Sequence, residues 1–159
     1  MSLAHRVRLA LPFMLVAATA LAGAVHAEGT APSKAEQALK YRKSVYQVMV
    51  WNFGPMAAMA QSKIPYDATQ FAARAGRVAI LAPMLGEAFP AESQGVANSK
   101  LKEEMWANRA DFDAKLKDLE ERSAALAAVA RGGDFEKTKA AFFDTANACK
   151  ACHEKYRAD

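Results

Sequence analysis

The sequence predicts an all-α protein, specifically an antiparallel four-helix bundle. Four stretches carry apolar residues at steps of three, four and seven, which is the period of a helix with one buried face. No stretch shows the sustained alternation of apolar and polar residues that indicates a half-buried strand. Two short connections flank one longer crossover, and this arrangement is typical of antiparallel helices packed around one core.

Ahead of the helices, residues 1–27 have the pattern of a secretory signal peptide. Arg6 and Arg8 precede a long apolar run that closes on small residues at Ala27. Cleavage there would leave residues 28–159 as the bundle domain. An uncleaved membrane anchor is the alternative, but the polar residues that follow favour cleavage. No later segment is apolar enough to span a bilayer, so no stable membrane insertion is expected after cleavage.

The overall charge excludes one class of function. The chain has 21 Lys and Arg against 17 Asp and Glu, a formal net charge of +4. Arg6 and Arg8 lie in the predicted signal peptide, which has no acidic residue, so the exported domain would be closer to neutral. This balance gives no support to nucleic-acid binding.

The first helix is predicted from Ser33 to about Gln61. Ser33 and Glu36 form a capping box. A bend is expected near Pro55, because proline cannot donate a hydrogen bond to the carbonyl of Trp51. The apolar stripe of this helix consists of Leu39, Tyr46, Met49, Phe53, Met56 and Ala60.

The second helix is predicted to begin at an N-cap formed by Asp67 with Gln70, and to end around Phe89. Residues 91–98 then form the longest loop, a crossover that contains Gly and Ser. The apolar residues of this helix are Phe71, Val78, Leu81 and Leu85.

The third helix is predicted to start at Asn98 or Ser99 and to stop at Gly132 and Gly133. Asp134 is the expected N-cap of the fourth helix. The third stripe contains Met105, Phe112, Leu116, Leu119, Leu126 and Val129. The fourth contains Phe135, Thr138, Phe142, Thr145, Cys149, Cys152 and Tyr156.

The fourth helix carries the motif Cys-Lys-Ala-Cys-His at residues 149–153. Residues three and four apart lie on one helical face, so Cys149, Cys152 and His153 point the same way. Two thiols at this spacing can each form a thioether with one vinyl group of a single haem, and the adjacent imidazole can bind the iron. The motif therefore predicts one covalent haem c, with His153 as the metal ligand.

Three other interpretations of the two cysteines fit the sequence less well. A redox dithiol is expected near a strand–helix start, and this motif ends a long helical pattern. A structural zinc site needs four ligands, and no second Cys/His cluster is present. A disulfide between adjacent turns of one helix has poor geometry. Covalent haem also agrees with export, because thioether assembly takes place outside the cytoplasm in bacteria. The predicted location is periplasmic.

Arg42 is the most informative residue outside the motif. It lies three residues after Leu39 and four before Tyr46, on the apolar stripe. A guanidinium there needs a partner, and haem supplies two propionates that suit the bidentate geometry of arginine. The alternative is an arginine that extends past the stripe to a surface carboxylate.

With the haem motif near the C-terminus, a wider set of residues resembles one family, cytochrome c′, the class II c-type cytochromes. The resemblance covers essentially all of residues 35–157 and implies a four-helix bundle with one haem. Helical c-type cytochromes with the motif near their start fit poorly. The matching residues are Tyr41-Arg42-Lys43-Ser44, Met49, Phe53-Gly54, Met56, Pro65-Tyr66-Asp67-Ala68, Met105-Trp106, Phe142, Cys149-Lys150-Ala151-Cys152-His153 and Tyr156-Arg157.

The resemblance implies further contacts with the haem. Lys43 and Lys100 match positions that touch the haem edge, although Lys43 stands where Gln or Glu is expected. Arg157 matches a basic residue beside the proximal histidine, where it would discourage imidazolate character. The alternative for Arg157 is an exposed residue that interacts favourably with the helix dipole.

The sixth position of the iron decides the function. Tyr46 matches the position from which the family lays an apolar or aromatic side chain over the distal face; ordinary core packing is the alternative. Phe89 could complete this wall. Met49 lies on the same stripe and could instead bind the iron, as methionine does in electron carriers, although such a Met is usually core filler.

The leading hypothesis is a periplasmic haem protein with five-coordinate iron that binds nitric oxide and carbon monoxide and is capable of electron transfer to redox partner proteins. The alternative is a low-spin class II electron carrier with Met49 as sixth ligand. No enzymatic activity is expected, because His153 is the only histidine after the signal peptide and peroxide cleavage needs a distal acid–base pair. The family often dimerises through its first two helices, and extra apolar residues on the first helix fit a homodimer: Val45, Val48, Val50 and Trp51.

Overall fold

The computed structural model describes residues 31–158, and these residues form a helical bundle. The third helix is a single turn that leads into the fourth, so four long helices remain and the predicted all-α four-helix bundle is confirmed. The signal peptide predicted for residues 1–27 lies outside the described residues. The helices are α1 (Lys34–Ala60), α2 (Ala68–Met84), α3 (Glu104–Ala107), α4 (Arg109–Ala130) and α5 (Phe135–Tyr156).

The three predicted N-caps are confirmed. Each capping side chain accepts a hydrogen bond from the backbone amide three residues further on: Ser33 at 3.2 Å, Asp67 at 2.9 Å and Asp134 at 3.0 Å. Glu36 completes the capping box by accepting from the Ser33 amide at 2.8 Å. These bonds satisfy amides that the first helical turn leaves without an intrahelical partner.

The second helix ends earlier than predicted. It stops at Met84 rather than around Phe89, and Pro83 lies in its last turn. A proline there removes an intrahelical hydrogen bond, so the chain tightens instead of continuing as α-helix. Two short 3₁₀ turns follow, Gly86–Ala88 and Ala91–Ser93. They carry Phe89 between them, where it is buried.

The third long helix begins later than predicted. Asn98 takes a left-handed φ of 61°, and Leu101 forms an isolated antiparallel bridge with Arg157, so this segment is not helical. Asn108 then separates α3 from α4 with a non-helical φ of −121°. The segment that was expected to open the helix instead pairs with the C-terminal end of α5.

An aromatic cluster fills the core of the bundle. Phe142 of α5 packs against Phe53 of α1 at 4.6 Å between ring centroids and against Phe71 of α2 at 6.1 Å. Phe112 of α4 meets the ring of Tyr156 edge-on at 5.4 Å. Helix α4 packs extensively on α2 and α5, whereas α1 and α5 touch at few positions. The space between α1 and α5 therefore stays open as a cleft.

Within residues 31–158, none of the helices combines the length and the apolar character that a membrane span requires.

Candidate functional site

The cleft between α1 and α5 has a volume of about 570 Å³, within the ~300–1,000 Å³ range of small-molecule and cofactor sites. Its third wall is the crossover segment at Ser99, Lys100 and Leu101. The remaining lining residues are Leu39, Arg42, Lys43, Tyr46, Gln47, Val50, Phe89, Phe112, Cys152, His153, Tyr156 and Arg157. Seven of the eight residues predicted from the sequence for this site line one cleft, and the eighth, Cys149, lies one turn before Cys152.

Helix α5 carries both cysteines as free, partly buried thiols. Burial, and then the neighbouring Cys152, raise the pKa of Cys149 to about 11. Burial also raises the pKa of Cys152. The thiols therefore stay protonated at neutral pH, so neither is the reactive thiolate that a redox dithiol needs.

His153 follows the second cysteine and lines the same cleft. Packing at the cleft wall, and then the positive charge of Arg157, lower the pKa of His153. A lowered pKa favours the neutral imidazole, and this neutral form binds a metal through a ring nitrogen. In the described part of the chain, no group of three His, Cys, Asp or Glu side chains is arranged to hold a metal ion.

Arg42 is only 4% exposed. Its guanidinium donates to Ser93 Oγ at 3.3 Å and to Ser99 Oγ at 3.0 Å, and it lies 5.2 Å from the centre of the Phe89 ring. None of the ion pairs within residues 31–158 involves Arg42. Burial lowers its pKa accordingly. A buried cation that faces a cleft without a carboxylate fits a ligand that brings its own anionic group.

The aromatic neighbour of Arg42 is itself held in place. Arg109 donates to the Phe89 carbonyl at 2.7 Å, and the Phe89 ring packs edge-on against Phe112 at 4.8 Å. On the opposite side, Tyr41 donates to Glu87 at 2.6 Å and ties α1 to the turn before Phe89. The turn therefore presents Phe89 to the cleft as a fixed wall.

Ser99 connects Arg42 to the C-terminal end of α5. Its hydroxyl accepts from Arg42 and also from the Leu101 amide at 3.1 Å. Beyond it, the Lys102 amide donates to the Tyr156 carbonyl at 2.9 Å, and the Ala158 amide donates to the Lys100 carbonyl at 2.8 Å. We call residues 99–102 with 156–158 the clasp. Sequence analysis missed it, since neither segment has a strand-like pattern.

The α1 wall contains Tyr46 but not Met49. Tyr46 lines the cleft, and its pKa is raised by burial first and then by the neighbouring cysteines. Its hydroxyl is thus a neutral phenol at physiological pH. Met49 is 7% exposed, belongs to the hydrophobic core and is absent from the cleft lining. The stripe that carried both residues in the sequence therefore divides between the cleft and the core.

Three exposed cations stand at the mouth of the cleft: Lys43 on α1, Lys100 in the crossover and Arg157 at the end of α5. The deeper side of the α5 wall is held by Tyr156, which is 2% exposed and donates to Asp111 of α4. Asp111 also accepts from Lys155 at 2.9 Å. Asp111 and its partners were not singled out from the sequence, because the pairing joins residues far apart in the chain.

Taken together, a helical bundle whose last helix presents a CxxCH motif to a cleft, opposite a buried unpaired arginine, defines a c-type haem protein. The chain belongs to the cytochrome c′ family: the family profile described as Cytochrome C′ matches residues 37–157. The resemblance stated from the sequence is confirmed, and the protein carries one covalent haem c.

Curated relatives cover most of the chain. Cytochrome c′ of Alcaligenes xylosoxydans xylosoxydans is 34% identical over 125 residues, which are 79% of this chain and 96% of the relative. Cytochrome c′ of Rubrivivax gelatinosus is 33% identical over 124 residues, 78% of this chain and 96% of the relative. A protein named cytochrome c-554 from Cereibacter sphaeroides is 33% identical over 125 residues, 77% of this chain and 93% of the relative.

Solved structures of cytochrome c prime superpose on the helical bundle of this chain. Cytochrome c prime from Shewanella frigidimarina superposes with a TM-score of 0.77 at 35% identity, covering 81% of this chain and all of that one. A nitric oxide complex of a leucine-to-alanine variant of cytochrome c prime from Alcaligenes xylosoxidans superposes with a TM-score of 0.74 at 33% identity, covering 81% of this chain and 99% of that one.

Proposed function

We propose that this protein binds nitric oxide and carbon monoxide at a five-coordinate haem iron. In this proposal Cys149 and Cys152 form the thioethers and His153 is the iron ligand. Arg42 binds the propionates, while Lys43 and Lys100 contact the haem edge. Arg157 lies on the proximal side with His153 and lowers the imidazole pKa. Haem supplies a metal that binds diatomic molecules, and the chain supplies the attachment, the charges and the shape of the cleft.

The observation that carries the proposal is the composition of the α1 wall. Leu39, Tyr46 and Val50 line the cleft there, and the complete lining among residues 31–158 includes no methionine and His153 as its single histidine. A phenol whose pKa is raised by burial does not offer a phenolate to the iron. The wall can therefore crowd the sixth position without filling it, which suits a small, weakly basic gas ligand.

The decisive experiment is the visible spectrum of the reduced haem-loaded protein with and without nitric oxide. A broad high-spin Soret band without a sharp α-band, which then shifts on addition of nitric oxide, is the expected result. A sharp α-band, together with a methionine-to-iron charge-transfer band in the oxidised form, would contradict five-coordinate iron and favour ligation by Met49.

The role of Tyr46 in the α1 wall can be tested separately from the coordination of the iron. Tyr46→Ala removes the ring that faces the cleft, so we expect nitric oxide and carbon monoxide to bind faster, by roughly ten-fold or more if crowding contributes ~1.4 kcal/mol to the barrier. Stopped-flow mixing measures the rates. Tyr66→Ala is the matched control, because it truncates another partly buried tyrosine that lies outside the cleft lining. Equal rates in both variants would remove Tyr46 from the distal wall.

Electron transfer is the second candidate function, and the open cleft mouth favours it. Lys43, Lys100 and Arg157 surround the place where a haem edge would meet a redox partner protein. The low-spin form of this candidate, with Met49 as sixth ligand, has less support because Met49 packs in the core. The relatives are cytochromes by name, and we propose no catalytic residue.

We infer that the protein is exported to the periplasm with residues 1–27 as the signal peptide, since covalent haem attachment requires that destination in bacteria.

We also propose a homodimer through α1 and α2. Trp51 is 76% exposed and Ile80 is 70% exposed, with Val48 and Val50 also exposed nearby along α1. Val45, which the sequence placed in the same apolar group, is 5% exposed and belongs to the core. The contact would form from the other residues.

A further inference from the structure

Two tyrosines line the cleft, Tyr46 on α1 and Tyr156 at the end of α5. The hydroxyl of Tyr156 donates to Oδ2 of Asp111. The hydrogen bonds within residues 31–158 include one from each of the other tyrosine hydroxyls and none from that of Tyr46. Tyr156 is therefore the cleft tyrosine whose proton has an acceptor already in place.

The remaining tyrosines, Tyr41 and Tyr66, lie outside the cleft lining. Tyr41 donates to the Glu87 carboxylate at 2.6 Å, and Tyr66 donates to the Thr138 hydroxyl at 3.5 Å. The chain has four tyrosines in all. Of these four, Tyr156 alone combines a ring at the cleft with a carboxylate on its hydroxyl.

The two ends of this pair have opposite surroundings. The Tyr156 side chain is only 2% exposed, and its ring packs edge-on against Phe112 at 5.4 Å between centroids. The Asp111 side chain is 45% exposed and also accepts from Lys155 at 2.9 Å. The ring is thus shielded from water, while the carboxylate that accepts its proton can exchange that proton with solvent.

The protonation states suit transfer of a proton together with an electron. Burial, and then the hydrogen bond to Asp111, raise the pKa of Tyr156, so its phenol is neutral at neutral pH. The hydrogen bonds from Tyr156 and Lys155 lower the pKa of Asp111, so its carboxylate is ionised. A neutral phenol that loses an electron becomes a strong acid. Its oxidation is therefore much easier when a base is already hydrogen-bonded to the hydroxyl.

We propose that Tyr156 is a redox-active side chain, which gives one electron to the haem site after that site has reacted with a peroxide, and passes its hydroxyl proton to Asp111. The proposal rests on the haem site proposed above. It goes beyond gas binding and electron exchange with a partner protein, because here the electron comes from the chain itself. The reaction is stoichiometric, with one electron from one tyrosine.

The electrons and protons balance. Reduction of a peroxide ROOH to ROH and water breaks the O–O bond and takes two electrons and two protons. The ferric iron gives one electron and Tyr156 gives the other. The two protons come from solvent, whereas the proton of the Tyr156 hydroxyl moves to Oδ2 of Asp111. Tyr156 is left as a neutral phenoxyl radical beside a protonated carboxyl group.

The test is electron paramagnetic resonance of the ferric haem-loaded protein, freeze-quenched after mixing with peroxyacetic acid. A peroxyacid has a good leaving group, so cleavage of its O–O bond depends less on a distal acid–base pair. We expect an organic radical signal whose hyperfine pattern narrows when the protein is made with ring-deuterated tyrosine. Tyr156→Phe keeps the ring and removes the hydroxyl, and it should lower the radical yield per iron by roughly five-fold or more. An unchanged tyrosine signal in this variant would overturn the proposal.

The proton acceptor is tested with Asp111→Asn, which keeps the size of the side chain but replaces the base by a weakly basic amide. We expect the yield to fall by roughly three-fold or more. Asp118→Asn is the matched control, because it makes the same change on the same helix at a carboxylate that pairs with Arg122 at the surface. Equal yields in the two variants would overturn the role of Asp111 as proton acceptor.

Tyr66→Phe is the control for Tyr156→Phe, because it removes a tyrosine hydroxyl outside the cleft, and it should leave the yield unchanged. The visible spectrum of each sample before the peroxyacid is added reports separately on the gas-binding proposal. High-spin iron that binds nitric oxide, without a radical signal that depends on Tyr156, would overturn the redox role alone. A low-spin spectrum with such a signal would support the redox role while contradicting five-coordinate iron.

Discussion

At the scale of single residues, Arg42 shows how a buried charge points to an absent partner. Its guanidinium has two serine hydroxyls and an aromatic face as neighbours, but no carboxylate within residues 31–158. Hydroxyl groups satisfy some of its five donors and cannot offset the cost of removing the charge from water. The remaining donors and the charge together fit a carboxylate from the haem.

Arg42→Gln should therefore destabilise the haem-loaded protein. Loss of a hydrogen bond to a charged group costs about 2 kcal/mol, and we expect the free energy of unfolding to fall by that amount. Denaturant titration followed at the Soret band measures it. Arg131→Gln, an exposed arginine beyond the end of α4, should change the value by less than about 0.5 kcal/mol. Equal stability of wild type and Arg42→Gln would argue against a propionate contact.

Asp111 makes stability depend on pH. The hydrogen bonds from Tyr156 and then Lys155 lower the pKa of Asp111 below its ordinary value of 3.8. A carboxyl group with a lowered folded-state pKa adds stability that is complete above the ordinary value and is lost as the pH falls through the folded pKa. Asp111→Asn should therefore lose less stability than wild type between about pH 5 and pH 2. Parallel stability curves for the two proteins would contradict this role, and Tyr156→Phe should flatten the curve in the same direction.

The sequence predicts some of these residues and not others. Arg42 was identifiable because its charge interrupts an apolar stripe at helical spacing, and Tyr46 because it matches a family position on that stripe. Ser93 and Ser99 were not, because a small hydroxyl in a crossover has no periodic context and its partner lies far away in the sequence. Asp111 was missed for the same reason: nothing local distinguishes it from the other acidic residues of α4.

At the scale of helices and connections, the helix starts that depend on nearby residues agree with the sequence prediction, and the start that depends on a distant segment does not. The starts of α1, α2 and α5 agree with the sequence because each depends on a capping side chain within three residues. The start of α4 does not agree. Residues 99–102 had helix-compatible composition, but pairing with the end of α5 satisfies their backbone instead. Such competition cannot be deduced from a local pattern.

Ser99→Ala tests the clasp as an element. The change removes the acceptor for Arg42 and for the Leu101 amide, and a lost hydrogen bond costs ~1 kcal/mol. We expect the Lys102 and Ala158 amides to exchange with solvent roughly five-fold faster, since that free energy favours local opening. Amide hydrogen exchange followed by NMR measures the rates.

Ser44→Ala is the control for this experiment, because its hydroxyl donates only to the Lys40 carbonyl within α1. Exchange at Lys102 and Ala158 should be unaffected by it. If Ser99→Ala also left both amides unchanged, the clasp would not depend on Ser99, and the link between Arg42 and the end of α5 would have to be abandoned.

At the scale of the whole molecule, periodicity was enough to predict four helices and one core. It could not predict that α1 and α5 would separate, because the cleft results from how helices pack rather than from any one stripe. It also could not divide the α1 stripe between cleft and core. Tyr46 and Met49 both lie on the apolar stripe in the sequence. In the packed structure Tyr46 lines the cleft, whereas Met49 belongs to the core.

The proposed homodimer gives the prediction at this scale. Trp51→Glu places a charge in the centre of the exposed apolar group, so we expect dimer affinity to fall by about thirty-fold, which corresponds to about 2 kcal/mol for a buried aromatic contact. Sedimentation equilibrium measures it. Ile64→Glu makes a similar apolar-to-acidic change in the loop after α1, where Ile64 is 45% exposed. This control variant should have the same molecular mass in solution as the wild-type dimer. A monomeric wild-type protein would contradict the proposed interface.

The two walls of the cleft differ in how they would hold the haem proposed above. Helix α5 would hold it through two thioether bonds, whereas α1 would contact it through Arg42 and the side chains of the cleft wall. Unfolding that separates α1 from α5 should therefore leave the haem on α5, and the denatured chain should remain coloured after dialysis.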